Sequence, residues 1–317
     1  MEQRPLGRTG FEVSRLILGC GGFGGMGSDH DLVGKGESDA EAATIMDAAW
    51  DAGITTFDTA DAYAGGRSEL AIGRWIKARG RLPTLTTKTF HPMSPDGDRG
   101  LAPARIRRQV ESSLRRLGVE RIDLYLTHQP DEVTPVEETL DVLDALVAEG
   151  KLGAYGGSHV TTDLLARVDG RYAWLQNSLS LLDQGDDREV LPHVEASGLG
   201  YTPYSPLAGG WLTGKYARDE PPPPGSRMDV RPGPYLDLRR DDVWRGLELL
   251  RRWAADRDLT MATVAYAWVL GDGRVTAMLI GPRDPEQVRV ALDALELRFS
   301  DSERRELAGF FSGEVCC

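Results

Sequence analysis

Residues 122–157 read IDLYLTHQPDEVTPVEETLDVLDALVAEGKLGAYGG, and this stretch holds one complete unit of the fold. The apolar and β-favouring run at 122–127 has the length of a buried strand. A polar connection leads to Pro135, placed for a helix first turn. Helix-period apolar residues then run across 136–149, and Gly150 sits just past their end. A second apolar run follows at 154–157. Strand, helix and strand in this order form a crossover between parallel strands, which is right-handed almost without exception.

The same alternation recurs along the whole chain. Further strand segments read at 16–18, 55–59, 84–87, 174–176, 200–204 and 277–280, and helices at 40–52, 68–78, 104–117, 163–168, 189–196 and 261–270. Pro103 opens one helix, while Gly53 and Gly118 close others. Eight strand–helix units without a break in composition predict an α/β protein, a single (β/α)8 TIM barrel over residues 1–317, ahead of an open doubly wound sheet. Before the first strand, Pro5-Leu6 and Phe11-Glu12-Val13 flank Gly7-Arg8-Thr9-Gly10, which predicts an N-terminal β-hairpin. Residues 217–234 carry Pro221–Pro224, Gly225, Pro232, Gly233 and Pro234 and read as a long irregular loop at the C-terminal face, either a lid or a loop loose in solvent.

Composition narrows the function. The 317 residues hold 37 Lys and Arg against 49 Asp and Glu, a formal charge of −12. Nucleic acid and anionic membranes need a concentrated positive footprint, and here the basic residues form only short Arg pairs among acids. Just five of them are lysines: Lys35, Lys77, Lys88, Lys151 and Lys215. With three cysteines, no metal-ligand spacing, a polar start and no apolar run near membrane-spanning length, the chain reads as cytoplasmic, with no metal and no membrane. The terminal Cys316-Cys317 pair lacks the polybasic lead-in of a lipidation signal.

Gly19-Cys20-Gly21-Gly22-Phe23-Gly24 matches G-x-G-x-x-G, but that fingerprint needs a helix opening at its third glycine. The continuation Gly25-Met26-Gly27-Ser28-Asp29 opens none, so the glycines are read as a flexible first loop at the barrel mouth. Barrel active sites lie at the C-terminal strand ends. Read in order, those ends carry Asp58 (with Tyr63 in the loop beyond), Lys88, His128, Ser158, Gln176 and Tyr204. Carboxylate, phenol, ammonium and imidazole from separate strands would thus converge on one mouth.

These positions sit in stretches that resemble the aldo-keto reductase superfamily: Phe57-Asp58-Thr59-Ala60-Asp61-Ala62-Tyr63 with Ser68-Glu69, Thr87-Lys88, and Leu124-Tyr125-Leu126-Thr127-His128. Tyr204-Ser205-Pro206-Leu207-Ala208-Gly209-Gly210, Leu212-Thr213-Gly214-Lys215 and Ile280-Gly281-Pro282-Arg283-Asp284-Pro285-Glu286-Gln287 extend the match, in order, from about residue 4 to 292. The likeness is to the bacterial branch that includes potassium-channel β-subunit-like members. It implies hydride transfer between NADP(H) and a small carbonyl or alcohol. Tyr63 would be the proton donor, Lys88 would lower its pKa, Asp58 would orient Lys88, and His128 would hold the substrate oxygen.

The resemblance also implies the cofactor contacts. Tyr204 would stack on the nicotinamide, with Ser158, His159 and Gln176 around its carboxamide. Ser205, Leu207, Gly209 and Lys215 would hold the pyrophosphate, and Gly281, Arg283 and Gln287 the 2′-phosphate end. Two positions depart from the family pattern: His159 replaces an asparagine, and Ala291 stands where another asparagine reads adenine. Phe23, Phe90 and His91 are the expected substrate walls, for a ketone, ketosugar or similar biosynthetic intermediate. An NADPH-binding regulatory subunit with little turnover is the alternative, and the intact Asp58, Tyr63, Lys88 and His128 set weighs against it.

Overall fold

In the computed structural model, which describes residues 1–312, the chain opens with an antiparallel hairpin of β1 (Gln3–Pro5) and β2 (Glu12–Ser14). The barrel follows: β3 (Leu16–Gly19), α1 (Asp39–Asp51), β4 (Thr56–Asp58), α2 (Arg67–Arg79), β5 (Thr84–Thr89), α3 (Pro103–Leu117), β6 (Ile122–Thr127), α4 (Val136–Ala148), β7 (Leu152–Ser158) and α5 (Thr162–Arg167). Next come β8 (Trp174–Gln176), α6 (Gly185–Glu189), α7 (Leu191–Ser197), β9 (Gly200–Tyr201), α8 (Arg227–Val230), α9 (Asp241–Ala255), α10 (Met261–Leu270), β10 (Met278–Ile280), α11 (Pro285–Leu295) and α12 (Asp301–Gly309). Cys316 and Cys317 lie outside the described residues.

Eight parallel strands line up as β10-β3-β4-β5-β6-β7-β8-β9. The circle closes between its outer members, where the amides of Thr276 and Leu279 donate to the carbonyls of Tyr201 and Pro203, each at 2.9 Å. The predicted (β/α)8 barrel is the fold found. Strand alternation sorts its core into two layers. Ile17, Leu124, Leu126, Trp174 and Leu279 fill the interior together with Leu6 and Val13, so the hairpin plugs the N-terminal end. Tyr125, Leu175 and Tyr201 face outward and pack under the helices. Gly156 leaves room for Trp174, since a Cβ there would overlap the Trp174 carbonyl and crowd its ring.

Several boundaries move for identifiable reasons. Ser38 and Glu41 form a reciprocal capping box, which starts α1 one residue before the expected 40. The helix read at 189–196 is two, α6 and α7, meeting at Val190 just ahead of Pro192. The strand read at 200–204 is regular only through Tyr201, since Pro203 has no N–H to give, although Thr202 and Tyr204 still donate to the Leu175 and Asn177 carbonyls at 2.9 and 3.0 Å. The glycine loop after β3 is not slack: Gly24 donates to Glu37 O at 2.8 Å, Glu37 to Gly22 O at 2.9 Å and Gly27 to Gly21 O at 2.7 Å. The segment 217–234 is irregular as expected, apart from α8 and the start of a 3-10 turn at Gly233–Leu238.

Candidate active site

Lys88 projects from β5 on the face opposite Thr87 and Thr89, and Asp58 ends β4 beside it. Both are shut from solvent, at 1% and 2% exposure. The Lys88 ammonium pairs with Asp58 Oδ1 and donates to the Thr59 carbonyl at 2.8 Å. Gln176, at the end of β8, donates from Nε2 to Asp58 Oδ2 at 2.8 Å. Tyr63 starts the 3-10 turn Tyr63–Gly66, whose Ala64 and Gly65 adopt left-handed backbone, and Lys88 Nζ lies 5.2 Å from its ring centre. His128 directly follows β6. Its ring stands edge-on to Tyr63 at 5.5 Å and to His91 at 4.8 Å, with Nδ1 buried and unpartnered. The four residues expected to act together do meet.

Burial shapes their titration. It works against the Lys88 charge, but Asp58 and Tyr63 outweigh it and hold the ammonium above its ordinary value. It pushes the Tyr63 phenol up, with Lys88 pulling down only in part and Asp58 pushing the same way as burial. The expectation that Lys88 lowers the Tyr63 pKa therefore holds for its own contribution and fails for the sum. His128 is driven well below the usual imidazole range by burial and then by Lys88, which leaves it neutral at neutral pH. His91 falls to about 4 through burial and Arg99.

Behind this set lies a polar layer of which the motifs quoted above held only Asp61, Glu69 and Thr87, with no role assigned to them. Asp61 is fully buried, accepts from Thr89 Oγ1 at 2.6 Å and leaves Oδ1 unpartnered; burial raises its carboxyl to about 7. Arg105 ties Thr89 Oγ1 (2.7 Å) to the His91 carbonyl (2.6 Å). Glu69 accepts from Thr87 Oγ1 at 2.7 Å and from Arg116 Nε at 2.6 Å. These bonds fix β5, and so Lys88, against α2 and α3. Asp61 and Glu69 stood inside the quoted motif, where an acid beside an otherwise apolar run was the available signal.

A second group lines the rim between β9 and α11. Ser205 and Ala208 take positive φ (56° and 46°), as do Gly209 and Gly210, turning the backbone of 205–210 into a tight curl. Curls of this type aim successive amides at an anion. Lys215 lies over Gly210, Tyr235 packs on Gly209, and Leu207 packs against the core. Burial lowers the Lys215 pKa, and the neighbouring cations Arg283 and Arg227 lower it further. Neither Lys215 nor Arg227 has an ion-pair partner among the described residues. Uncompensated cations around an amide curl fit a dinucleotide's phosphates. Ser158 is buried at the end of β7. His159 follows it with φ 56°, a conformation that asparagine and histidine tolerate, and its ring nitrogens lie 3.2–3.3 Å from the Tyr204 hydroxyl.

Some expected contacts are already engaged elsewhere. Gln176 gives one amide N–H to Asp58, which leaves its second N–H and its carbonyl for a cofactor. Gln287 accepts from the Arg283 amide at 3.1 Å and donates to Asp284 at 2.9 Å, capping α11. Arg283 donates from Nε to Glu37 at 3.0 Å and from Nη1 to the Gly225 carbonyl at 2.6 Å. Gly281 is exposed beside it, and Ala291 is buried. Phe23 is no substrate wall: it is 1% exposed and packs in the outer core. Phe90 is also mostly buried, edge-on to His91, so His91 is the member of that trio closest to the reacting groups.

Comparison with known proteins agrees with this geometry. The model of the Aldo/keto reductase family matches residues 15–310. An uncharacterized oxidoreductase of Bacillus subtilis (strain 168), YrpG, is 35% identical over 99% of this chain and 97% of its own. A protein named NADH-specific methylglyoxal reductase from Escherichia coli (strain K12) is 32% identical over 97% and 98%. A glycerol dehydrogenase structure from Gluconobacter oxydans superimposes with TM-score 0.82 at 28% identity, covering 98% of this chain and 95% of that one. No helix among the described residues is long and apolar enough to cross a membrane. With a closed barrel, a buried Asp-Lys pair facing a tyrosine, and these relatives, the chain is an oxidoreductase of the aldo/keto reductase family.

Proposed function

We propose that this protein reduces an aldehyde or ketone to the alcohol, reversibly, using NADPH, with Tyr63 giving the proton to the carbonyl oxygen. The observation that carries this reading is the buried Asp58–Lys88 pair set against Tyr63, with neutral His128 alongside. Bound NADPH would supply the hydride to the carbonyl carbon. Everything else falls to this chain. Tyr63, a phenol whose ordinary pKa of about 10 burial raises further, keeps its proton at neutral pH and is a loaded donor. As the phenolate forms, the fixed Lys88 ammonium stabilises it without reorganising. Asp58, held from its other side by Gln176, keeps that ammonium charged and in place. Neutral His128 offers an imidazole nitrogen to the substrate oxygen.

Tyr204, Ser158 and His159 would hold the nicotinamide, and the 205–210 curl with Lys215 and Arg227 the pyrophosphate. Arg283 would meet the 2′-phosphate, which favours NADPH. The relatives named for methylglyoxal and glycerol put small oxygen-rich carbonyls, ketosugars among them, first in the substrate panel. The test is NADPH oxidation followed by absorbance over such a panel, with Tyr63→Phe as control. Loss of a positioned general acid should cost about 10²–10⁴ in kcat. NADPH affinity, read by fluorescence, should change less than about twofold. Activity unchanged in Tyr63→Phe sinks the assignment. Tight NADPH binding with no turnover on any carbonyl favours the regulatory-subunit reading.

A further inference from the structure

Of Lys215, Arg227 and Arg283, only Arg283 has an acid partner among the described residues, and that acid is unusually well held. Glu37 is 7% exposed and locked by its backbone: its amide donates to Gly22 O, its carbonyl accepts from Gly24, and it forms a parallel bridge with Phe23. A side chain at Gly22 would overlap Glu37 Oε2, so the glycine loop is shaped around this carboxylate. Oε1 takes the Arg283 Nε–H at 3.0 Å, and burial, which raises the Glu37 carboxyl, is opposed first by that bond. The carboxylate reaches Arg283 from the β3 loop, far away in sequence.

The guanidinium has five N–H donors. Nε goes to Glu37 and one Nη1 donor to the Gly225 carbonyl, while Nη2 forms no hydrogen bond among the described residues. A phosphate can therefore dock on the Nη1/Nη2 edge without dislodging Glu37. It then shares a single positive charge with a carboxylate that cannot swing away. An unphosphorylated ribose meets no such opposition, because its hydroxyls carry no charge.

We propose that Glu37 tunes the cofactor preference of this enzyme: by holding Arg283 at Nε it offsets the charge offered to a 2′-phosphate, so that the advantage of NADPH over NADH is about tenfold smaller than an unopposed Arg283 would give. This rests on the reading of Arg283 as the 2′-phosphate contact, and it makes Glu37 a specificity residue acting through Arg283.

The decisive variant is Glu37→Gln, which keeps the length and an oxygen for the Arg283 Nε–H but removes the charge. Dissociation constants for NADPH and NADH are measured by fluorescence titration at low and raised salt, on wild type, Glu37→Gln, Arg283→Ala and the double variant. In Glu37→Gln, NADPH should bind about tenfold tighter, equivalent to about 1.4 kcal/mol, with NADH within about twofold. The gain should shrink with salt and vanish in the double variant. Unchanged or weaker NADPH binding in Glu37→Gln overturns the inference. If Arg283→Ala still weakens NADPH alone, the 2′-phosphate reading survives that failure. If Arg283→Ala affects both cofactors alike, the reading and the inference fall together. Should Glu37→Gln lower thermal stability by disturbing the loop, Glu37→Asp, which keeps the charge but shortens the reach, should leave the cofactor ratio at or near the wild-type value; a ratio as high as in the Gln variant refutes a charge effect.

Discussion

Replacing Lys88 with methionine gives the most direct measure of how the buried pair is held. Methionine fills most of the lysine's volume, so the change removes charge and hydrogen bonds with little cavity. Asp58, 2% exposed, would keep only the Gln176 N–H. Breaking a buried pair from one side costs about 3–5 kcal/mol, a large part of a total stability of about 5–15 kcal/mol. The sign with pH follows from linkage. Burial holds the Asp58 carboxyl above its unfolded value of about 3.9 even with Lys88 in place, and removing that cation leaves only the Gln176 bond to oppose burial, so the pKa rises further. The penalty is then absent below that value and grows as pH rises toward the folded pKa. Urea unfolding followed by tryptophan fluorescence at pH 5 and pH 8, wild type beside variant, reads it. The wild-type titration of Asp61 occurs in both proteins and cancels in the difference. Destabilisation should be small at pH 5 and about 3–5 kcal/mol at pH 8. An equal loss at both pH values, or a loss under about 1 kcal/mol at pH 8, refutes an ionised Asp58 held by Lys88.

Two other buried carboxylates should respond to pH with opposite signs. Asp272 accepts from Arg274 and Arg304; these bonds overcome burial and bring its pKa to about 2, so its contribution is present above about pH 4 and lost as pH falls toward 2. Asp272→Asn should cost about 2 kcal/mol at pH 7 and flatten the acid limb of a Tm-against-pH curve; an unaltered acid limb would count against it. Asp61, raised to about 7 by burial, destabilises the fold as it ionises, so stability should decline from about pH 4 up to 7. Asp61→Asn should flatten that decline, and its Tm relative to wild type should rise from pH 5 to pH 8. The opposite trend would show that Asp61 is ionised and paired.

The polar layer formed by Asp61, Thr89, Arg105, Glu69 and Arg116 gives these sites a common logic. A buried group without a partner is costly, so each is tied to another element, and the ties converge on β5. Lys88 thus sits on a strand tied to both α2 and α3, which suits a charge that must stay put while a proton moves nearby.

Much of this was legible in one dimension. The period of apolar residues, the glycines past helix ends and the prolines at their starts set eight strand–helix units, and the barrel rule then named the strand ends where Asp58, Lys88 and His128 stand. Local chemistry suffices there because periodicity and caps depend on near neighbours. Sequence also supplied the reacting groups, since carboxylate, ammonium, phenol and imidazole are fixed by residue type. It could not say that burial outweighs Lys88 in setting the Tyr63 pKa, because desolvation depends on everything packed around a group. Nor could it show that Gln176 braces Asp58, that Phe23 turns into the core, or that Glu37 reaches Arg283 across 246 positions of chain. Those are contacts between distant segments, decided only when the barrel closes and brings loop ends within ångströms of each other.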